Sequence, residues 1–320
     1  MMNVFSKSLL ASALASTTLI SVTTVSAQAA EPLTVYGKLN VTAQSNDVDD
    51  EATTTIQSNA SRFGVKGDFE LSSDLQAFYT VEYEVNTGDE AKENFLARNQ
   101  FVGLKGGFGA FSVGRNDTML KVSQGKVDQF NDLSGDLKNL FKGENRIEQT
   151  ATYITPSFGD FKVGVTYAAE GAASQYAQDG FSVAAMYGDA KLKNTPIYAS
   201  VAYDSDVKGY EVLRATVQGK IADLVIGGMY QQEEETFDKN GDPVTGDSKS
   251  GYLFSAAYTI SAVVLKAQFQ DMEDKGDSWS VGADYKLGKP TKLLAFYTNT
   301  SFESKTTDDS FFGVGLEHKF

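Results

Sequence analysis

Few side chains in this sequence have the chemistry of an enzyme active site or a transition-metal site. The chain of 320 residues contains one histidine, His318, and no cysteine. Histidine is the most frequent general acid–base group, and zinc or copper sites are built from clusters of histidine or cysteine. No nucleophile motif precedes His318, so a serine–histidine pair has no support. We therefore expect a protein without catalytic activity and without a cofactor.

One acidic stretch has the spacing of a calcium-binding loop. The sequence DKNGD at residues 238–242 places oxygen-bearing side chains at alternate positions. Pro243 stands where such a loop needs a glycine for its turn, and Lys249 stands where it needs a bidentate glutamate. We interpret the stretch as a polar turn.

The N-terminus has the pattern of a secretory signal. Lys7 precedes an apolar run of small residues, and the sequence AQA at residues 27–29 offers an A-x-A cleavage site. We predict cleavage near Ala29, with Ala27 and Ala30 as alternatives, so that residues 1–29 are removed and residues 30–320 form the mature domain. Beyond this segment, no stretch of about 18 apolar residues is long enough to cross a membrane as a helix.

The charge balance is strongly acidic. The formal net charge is −14 at pH 7, and removal of Lys7 with the signal makes it −15. A nucleic-acid-binding protein needs a basic face, so this balance argues against one. An exported chain without cysteine cannot be stabilised by disulfides. Its stability must come from the folded elements themselves.

Alternation of apolar and polar residues is the dominant pattern, and it must position any functional charge. In the last segment Phe312, Val314, Leu316, His318 and Phe320 share one face. A period of two indicates β-strands. Sixteen segments show it: 33–43, 62–71, 75–85, 95–105, 110–115, 145–155, 161–167, 181–187, 197–203, 210–220, 224–231, 252–258, 263–270, 279–287, 293–298 and 310–320.

The connections between these segments alternate between short turns and longer acidic loops, the longest from residue 116 to residue 144. The polar faces carry Lys, Arg, Glu and Gln, which a packed soluble core could not hold unpaired. A closed barrel in a membrane accommodates both faces, because apolar residues point to lipid and polar residues line the inside. We predict an all-β fold, a sixteen-stranded antiparallel transmembrane β-barrel, in preference to a soluble sandwich or propeller.

The sequence also resembles the general diffusion porins of Gram-negative outer membranes, along essentially the whole mature chain. The similar stretches are, in order, LTVYGKLN, ASRFGVKGDFELSSDLQAFYTVEYE, FVGLKGGFGAFSVGRN, NRIEQTATYITPSFGDFKVGVTY and VGLEHKF. The resemblance implies a sixteen-stranded barrel in the outer membrane and a homotrimer of separate pores. It also implies a water-filled channel for passive diffusion of ions and small hydrophilic solutes.

The resemblance further implies a basic wall at the narrowest point of the pore. Its members would be Lys38, Arg62, Arg98 and Arg146. Strand parity independently places Lys38, Arg62 and Arg146 on the polar face of their own segments. Rings of charge set the selectivity of pores, so this wall is the main candidate site.

The third long loop would fold into the lumen and oppose the basic wall with carboxylates. By resemblance these are Asp128 and Asp132, with Gly125 as a bend, while Asp117 and Asp136 are alternatives. Residues 132–141 could form a short helix in this loop. Charges of opposite sign across a narrow pore create a transverse field that orients water and dipolar solutes.

Partners follow from the same resemblance. They are outer-membrane lipid, lipopolysaccharide and the barrel-assembly machinery, which would recognise the terminal Phe320. Diffuse Mg²⁺ or Ca²⁺ could bridge the acidic loops to lipopolysaccharide phosphates. From the −15 charge we expect a mild cation preference. A substrate-selective channel and a surface receptor or adhesin are the alternatives, although Tyr36 and Phe78 are among the few inward aromatics that could form a sugar track.

Overall fold

The computed structural model describes residues 33–87, 94–169, 179–238 and 240–320. The expected signal segment, residues 1–29, lies outside the described residues. One antiparallel sheet contains all the strands. They are β1 (Thr34–Val48), β2 (Glu51–Ser58), β3 (Arg62–Ser72), β4 (Leu75–Val85), β5 (Phe95–Gly106), β6 (Gly109–Asp117), β7 (Arg146–Ile154), β8 (Phe161–Ala168), β9 (Gly180–Gly188), β10 (Ile197–Val207), β11 (Tyr210–Ile221), β12 (Leu224–Glu235), β13 (Lys249–Ile260), β14 (Val263–Met272), β15 (Gly276–Lys286), β16 (Thr291–Phe302) and β17 (Asp309–Lys319).

The described segments make sixteen barrel strands, because β2 and β3 are two parts of one strand. β2 pairs with the second half of β1, and β3 pairs with its first half. Between them Ala60 has a φ of 49°, which bends the chain before pairing resumes. Every other strand pairs with the next, and β1 pairs with β17 to close the sheet. The prediction of a closed sixteen-stranded antiparallel barrel is confirmed.

Apolar side chains cover the outer face of the barrel. In β17, Phe312, Val314 and Leu316 are 44–51% exposed, whereas Gly313 and Glu317, on the opposite face of the strand, are buried. So much exposed apolar surface suits a lipid environment. Polar residues such as Gln218 and Gln270 are buried on the inner face. Among the described residues, no helix is long and apolar enough to span a membrane.

The two ends of the barrel differ in their connections, although less than the sequence suggests. We call the end that carries the β3–β4 and β9–β10 connections the short-turn end, and the opposite end the long-loop end. The first expected long loop is instead a hairpin, because β1 and β2 extend it and turn at Asp49 and Asp50. Both residues have positive φ, as tight hairpin turns require.

Residues 118–145, between β6 and β7, are called here the β6–β7 segment. It contains helix α1 (Met119–Ser123) and a 3₁₀ turn (Leu137–Asn139). The expected helix over residues 132–141 is reduced to that turn, since Asp132 has a φ of 69° that no right-handed helix accepts. Gly125, with a φ of 66°, forms the expected bend.

Apolar residues of the β6–β7 segment pack on an apolar part of the inner face. Met119 and Leu120 contact a cluster with Met186 and Tyr198, while Val127 and Leu137 join Met229 and Leu253. Phe130 packs with Leu294 and Phe296. Met119, Leu120, Val127, Phe130 and Leu137 are fully buried. Burial of a large apolar side chain contributes about 1.5–3 kcal/mol, so these contacts determine which wall the segment occupies.

Candidate functional site

Polar side chains of the inner face hold the backbone of the β6–β7 segment. The Tyr198 hydroxyl donates to the carbonyl of Ser123 (2.8 Å). The Gln268 side chain accepts from the N–H of Gln129 (2.8 Å) and donates to the carbonyl of Gly135 (3.0 Å). These bonds satisfy loop backbone groups that would otherwise be buried without partners. These bonds fix the segment against β10 and β14.

The open space beside the β6–β7 segment is a cavity of about 860 Å³. Its lining is highly charged and nearly balanced in sign. The lining contains six basic and six acidic side chains: Arg62, Arg98, Lys121, Lys126, Lys138 and Arg146, with Glu84, Asp117, Asp132, Asp136, Glu144 and Asp309. Three of the four predicted basic residues lie here, together with one of the two predicted acids.

Asp132 is brought directly to the predicted basic wall. Its Oδ2 lies 2.8 Å from Lys38 Nζ and 2.6 Å from Arg62 Nη2. Burial alone would raise the pKa of Asp132, but Lys38 and Arg62 outweigh it and hold that pKa below its usual range. The carboxylate is therefore ionised at neutral pH and shared by two cations from β1 and β3.

The other two predicted basic residues have carboxylates of their own strand neighbours. Arg98 pairs with Glu82 (2.6 Å) and Glu84 (2.7 Å) of β4. Arg146 lies 3.0 Å from Asp117, one of the alternative acids. Each of the four predicted cations is thus matched by at least one carboxylate. Sequence reasoning missed Glu82 and Glu84, although their alternation opposite Val81 and Val85 could have placed them inward.

Asp128 is not at the basic wall. It is 8% exposed, and its carboxylate accepts the N–H groups of Phe130 (2.8 Å) and Leu137 (3.0 Å). Burial and the nearby Asp136 carboxylate raise the pKa of Asp128. Asp136 is also buried and accepts the N–H groups of Asp132 and Lys138. Asp128 and Asp136 therefore stabilise the conformation of the loop. Asp132 pairs with the basic wall, so the two predicted acids, Asp128 and Asp132, have different roles.

A second charged cluster, absent from the sequence-based predictions, fixes the C-terminal part of the β6–β7 segment. Arg214 on β11 is fully buried and donates to Glu144 (2.7 Å), to Gln231 (2.7 Å) and to the carbonyl of Lys142 (2.9 Å). Lys275 donates to the carbonyl of Leu140 (2.8 Å). The position of Arg214 between Leu213 and Ala215 indicates an inward side chain, but its partners are distant in sequence.

The terminal residue completes the closing seam. The Phe320 N–H donates to the Gly37 carbonyl (3.1 Å), and the Gly37 N–H donates to the Phe320 carbonyl (3.0 Å). His318 pairs in register with Leu39, and its Nδ1 lies 2.8 Å from Thr291 Oγ1. Phe320 therefore continues the pairing of β17 with β1 by one further residue.

A closed antiparallel barrel with an apolar outer face and a charged inner cavity defines a transmembrane channel. The sequence matches the family model of the Gram-negative porin over residues 14–305. The chain belongs to this family. It is accordingly an outer-membrane channel and not an enzyme.

Known proteins resemble the chain over most of its length. The major outer membrane protein P.IB of Neisseria meningitidis serogroup B is 24% identical, covering 84% of this chain and 86% of its own. A monosaccharide porin of a Halomonas species is also 24% identical, covering 85% and 81%.

Solved structures share the fold at lower sequence identity. OmpF of Salmonella typhi, in complex with daunomycin, is 17% identical with a TM-score of 0.73, covering 91% of this chain and 98% of its own. An anion-selective porin from Comamonas acidovorans is 18% identical with a TM-score of 0.69, covering 91% and 100%. A trimer form of the Vibrio cholerae outer-membrane protein OmpT is 17% identical with a TM-score of 0.62, covering 90% and 99%.

Proposed function

We propose that this porin is a water-filled channel for passive diffusion of ions and small hydrophilic solutes. In this proposal the β6–β7 segment lies in the lumen and narrows it, and solutes pass between the segment and β3–β7. The observation that carries the proposal is the charged cavity of about 860 Å³ that Asp132 and Arg62 line together, with Lys38 bound to the same carboxylate. Opposed charges there would order water and slow apolar solutes.

The site residues of this constriction are Lys38, Arg62, Arg98 and Arg146 on the barrel wall and Asp132 on the segment. Asp117 is added, because it pairs with Arg146. Asp128 is kept only as a structural group, since both of its oxygens are used by backbone N–H groups.

We infer a mild cation preference. The lining of the cavity is balanced, with six charges of each sign, so it gives little net bias. The bias then comes from the mature charge of −15 and from acidic residues at the long-loop end. A reversal potential in a KCl gradient tests this inference, and anion preference would contradict it.

The test of the channel itself is conductance of the purified protein in planar bilayers. We expect stepwise openings whose current is proportional to voltage in 1 M KCl, as a permanently open aqueous pore gives. Heat-denatured protein is the control. Absence of such steps at protein concentrations that insert barrels would overturn the channel proposal.

A substrate-selective channel is the second candidate, and one observation favours it. A relative that is 24% identical is described as a monosaccharide porin. Swelling of liposomes in neutral sugars of increasing size separates the two functions. A rate that falls smoothly with size supports general diffusion, whereas one preferred sugar supports selectivity.

The assembly of the channel is proposed on the same basis. We propose that residues 1–29 are an export signal, that the barrel-assembly machinery recognises Phe320, and that three chains form a homotrimer among outer-membrane lipid and lipopolysaccharide. The apolar outer face and the seam at Phe320 support membrane insertion. Cross-linking in native membranes tests whether the chains form a trimer. Mass spectrometry of the N-terminal peptide tests whether residues 1–29 are removed.

A further inference from the structure

Charged side chains of alternating sign cross five neighbouring strands on the inner face. β14, β15, β16, β17 and β1 lie side by side in the closed sheet. Each contributes one charge that pairs with the charge of the next strand; in this order they are Lys266, Asp284, Lys292, Glu317 and Lys38. We call these five residues the seam ladder, because they continue across the seam where β17 meets β1.

Ion pairs join each member of the seam ladder to the next. Asp284 lies 3.1 Å from Lys266 and 2.9 Å from Lys292. Glu317 lies 3.8 Å from Lys292 and 3.9 Å from Lys38. The five side chains are 8–27% exposed, so water and salt screen these pairs less than pairs on an open surface. A change of charge at one member therefore acts on its neighbours.

Both ends of the seam ladder contact the β6–β7 segment. At one end Lys38 lies 2.8 Å from Asp132. At the other end the Lys266 ammonium lies 5.0 Å from the centre of the Phe130 ring, and a cation over an aromatic ring is attracted to it. Phe130 and Asp132 are two positions apart in the sequence. The seam ladder thus holds this part of the segment from two sides.

Glu317 is the member that connects the constriction to the rest of the ladder. In register it lies opposite Lys292 on β16, and its carboxylate is also 3.1 Å from Lys319, so three lysines share one acid. Lys38 is held between this acid and Asp132. Without Glu317, the Lys38 ammonium keeps one carboxylate and meets the charge of Lys292 with no acid between them.

We propose that Glu317 is a positioning residue for the constriction and contributes to ion selectivity. From the closing strand it holds the Lys38 ammonium at Asp132, the carboxylate that Lys38 shares with Arg62. It also places a negative charge among three lysines. The role rests on the proposed channel function and adds to it a residue of β17 that the resemblance and the lining of the open cavity do not identify.

The first test reads the position of Lys38 without conduction. The purified protein in detergent is acetylated briefly with an N-hydroxysuccinimide ester, and modification of each lysine is measured by peptide mass spectrometry. In Glu317→Gln, Lys38 has lost one of two carboxylates, so it should react about two- to fivefold faster, the range for loss of one ion pair. Lys266 keeps its contacts with Asp284 and Phe130, so its rate should stay at the wild-type value.

The second test reads selectivity as the reversal potential of single channels in a KCl gradient. For an ion about 10 Å from the removed charge in 0.1 M salt, Glu317→Gln should shift the permeability ratio about twofold towards chloride. Asp160→Asn is the matched control, because it makes the same change of charge in an exposed turn at the short-turn end. The control should keep the wild-type ratio and the wild-type reactivity of Lys38.

Glu317→Asp keeps the charge and shortens the side chain by one methylene group. Lys38 should then react at a rate between those of the wild type and Glu317→Gln, and this variant decides the matter if Glu317→Gln does not assemble. Wild-type reactivity of Lys38 in the variants, or an equal increase for Lys38 and Lys266, would overturn the positioning role. A lower melting temperature of Glu317→Gln with an unchanged permeability ratio would overturn the role in selectivity.

The two tests separate failure of this role from failure of the channel. Stepwise current together with unchanged reactivity of Lys38 would overturn the positioning role and leave the channel function standing. Faster reaction of Lys38 in a protein that gives no current would support the positioning role and contradict the channel.

Discussion

Asp132→Asn is the change that most directly tests the proposed constriction. The Asp132 carboxylate lies 2.8 Å from Lys38 and 2.6 Å from Arg62, and it faces the cavity. The substitution removes one negative charge from a lining with six charges of each sign and frees two cations. The channel should therefore become more permeable to chloride relative to potassium.

The size of this shift follows from Coulomb's law. For an ion about 7 Å from the site in water, one charge changes its energy by about 0.6 kcal/mol. Screening in 0.1 M salt, where the Debye length is about 10 Å, reduces this to about 0.3 kcal/mol. Because the change has opposite sign for potassium and chloride, the permeability ratio should shift about threefold towards chloride.

The assay is the reversal potential of single channels in a KCl gradient, with Asp128→Asn as the matched control. Asp128 lies four positions before Asp132 in the same segment, but its carboxylate accepts the N–H groups of Phe130 and Leu137 instead of pairing with the basic wall. Its substitution should weaken the fold of the segment by about 1–3 kcal/mol, since a buried donor loses its acceptor, and leave the permeability ratio near the wild type. An unchanged ratio for Asp132→Asn, or equal shifts for both variants, would refute the assignment.

Three further outcomes follow from the contacts. Arg214→Gln leaves Glu144 buried without its cation, at a cost of about 3–5 kcal/mol, so limited proteolysis should cut the β6–β7 segment faster, and Glu144→Gln in the same chain should partly restore its protection. Deletion of Phe320 removes its two hydrogen bonds to Gly37; surface labelling should show less assembled protein, and the unit conductance of the remaining channels should be unchanged. The lowered pKa of Asp132 keeps it ionised as pH falls, so ion selectivity should be constant from pH 7 to about 5 and move towards anions only below about pH 4; a change centred near pH 6 would contradict this.

The barrel could be predicted from the sequence because its signal is local. Alternation is a property of neighbouring residues, and each of the sixteen predicted segments lies in a strand or largely overlaps one. The lengths of the strands were harder to predict from the sequence. Residues 44–58 look like a polar loop, but pairing between β1 and β2 continues through them to the turn at Asp49 and Asp50. Cross-strand hydrogen bonds stabilise polar residues that would form a loop in isolation.

Only part of the candidate site could be predicted from the sequence, for a different physical reason. Parity along a strand places Lys38, Arg62 and Arg146 inward, but it cannot say which carboxylate each one meets. The β6–β7 segment shows no alternation of apolar and polar residues. Spacing alone therefore predicted the same role for Asp128 and Asp132. The left-handed conformation of Asp132 turns the chain so that the two carboxylates go to different neighbours.

Different residues of the inner face position the β6–β7 segment and set the charge around it. Apolar residues and Arg214, on β9–β16, hold the segment, whereas nearly all the charged residues that line the cavity lie on β3–β7 or on the segment itself. A change of charge at Arg98, whose partners Glu82 and Glu84 lie on β4, thus leaves the apolar contacts of Phe130 and Leu137 intact. Sites without shared partners contribute independently to stability. In the proposed channel, selectivity would therefore vary through residues of one wall while the apolar contacts at the opposite wall hold the segment in place.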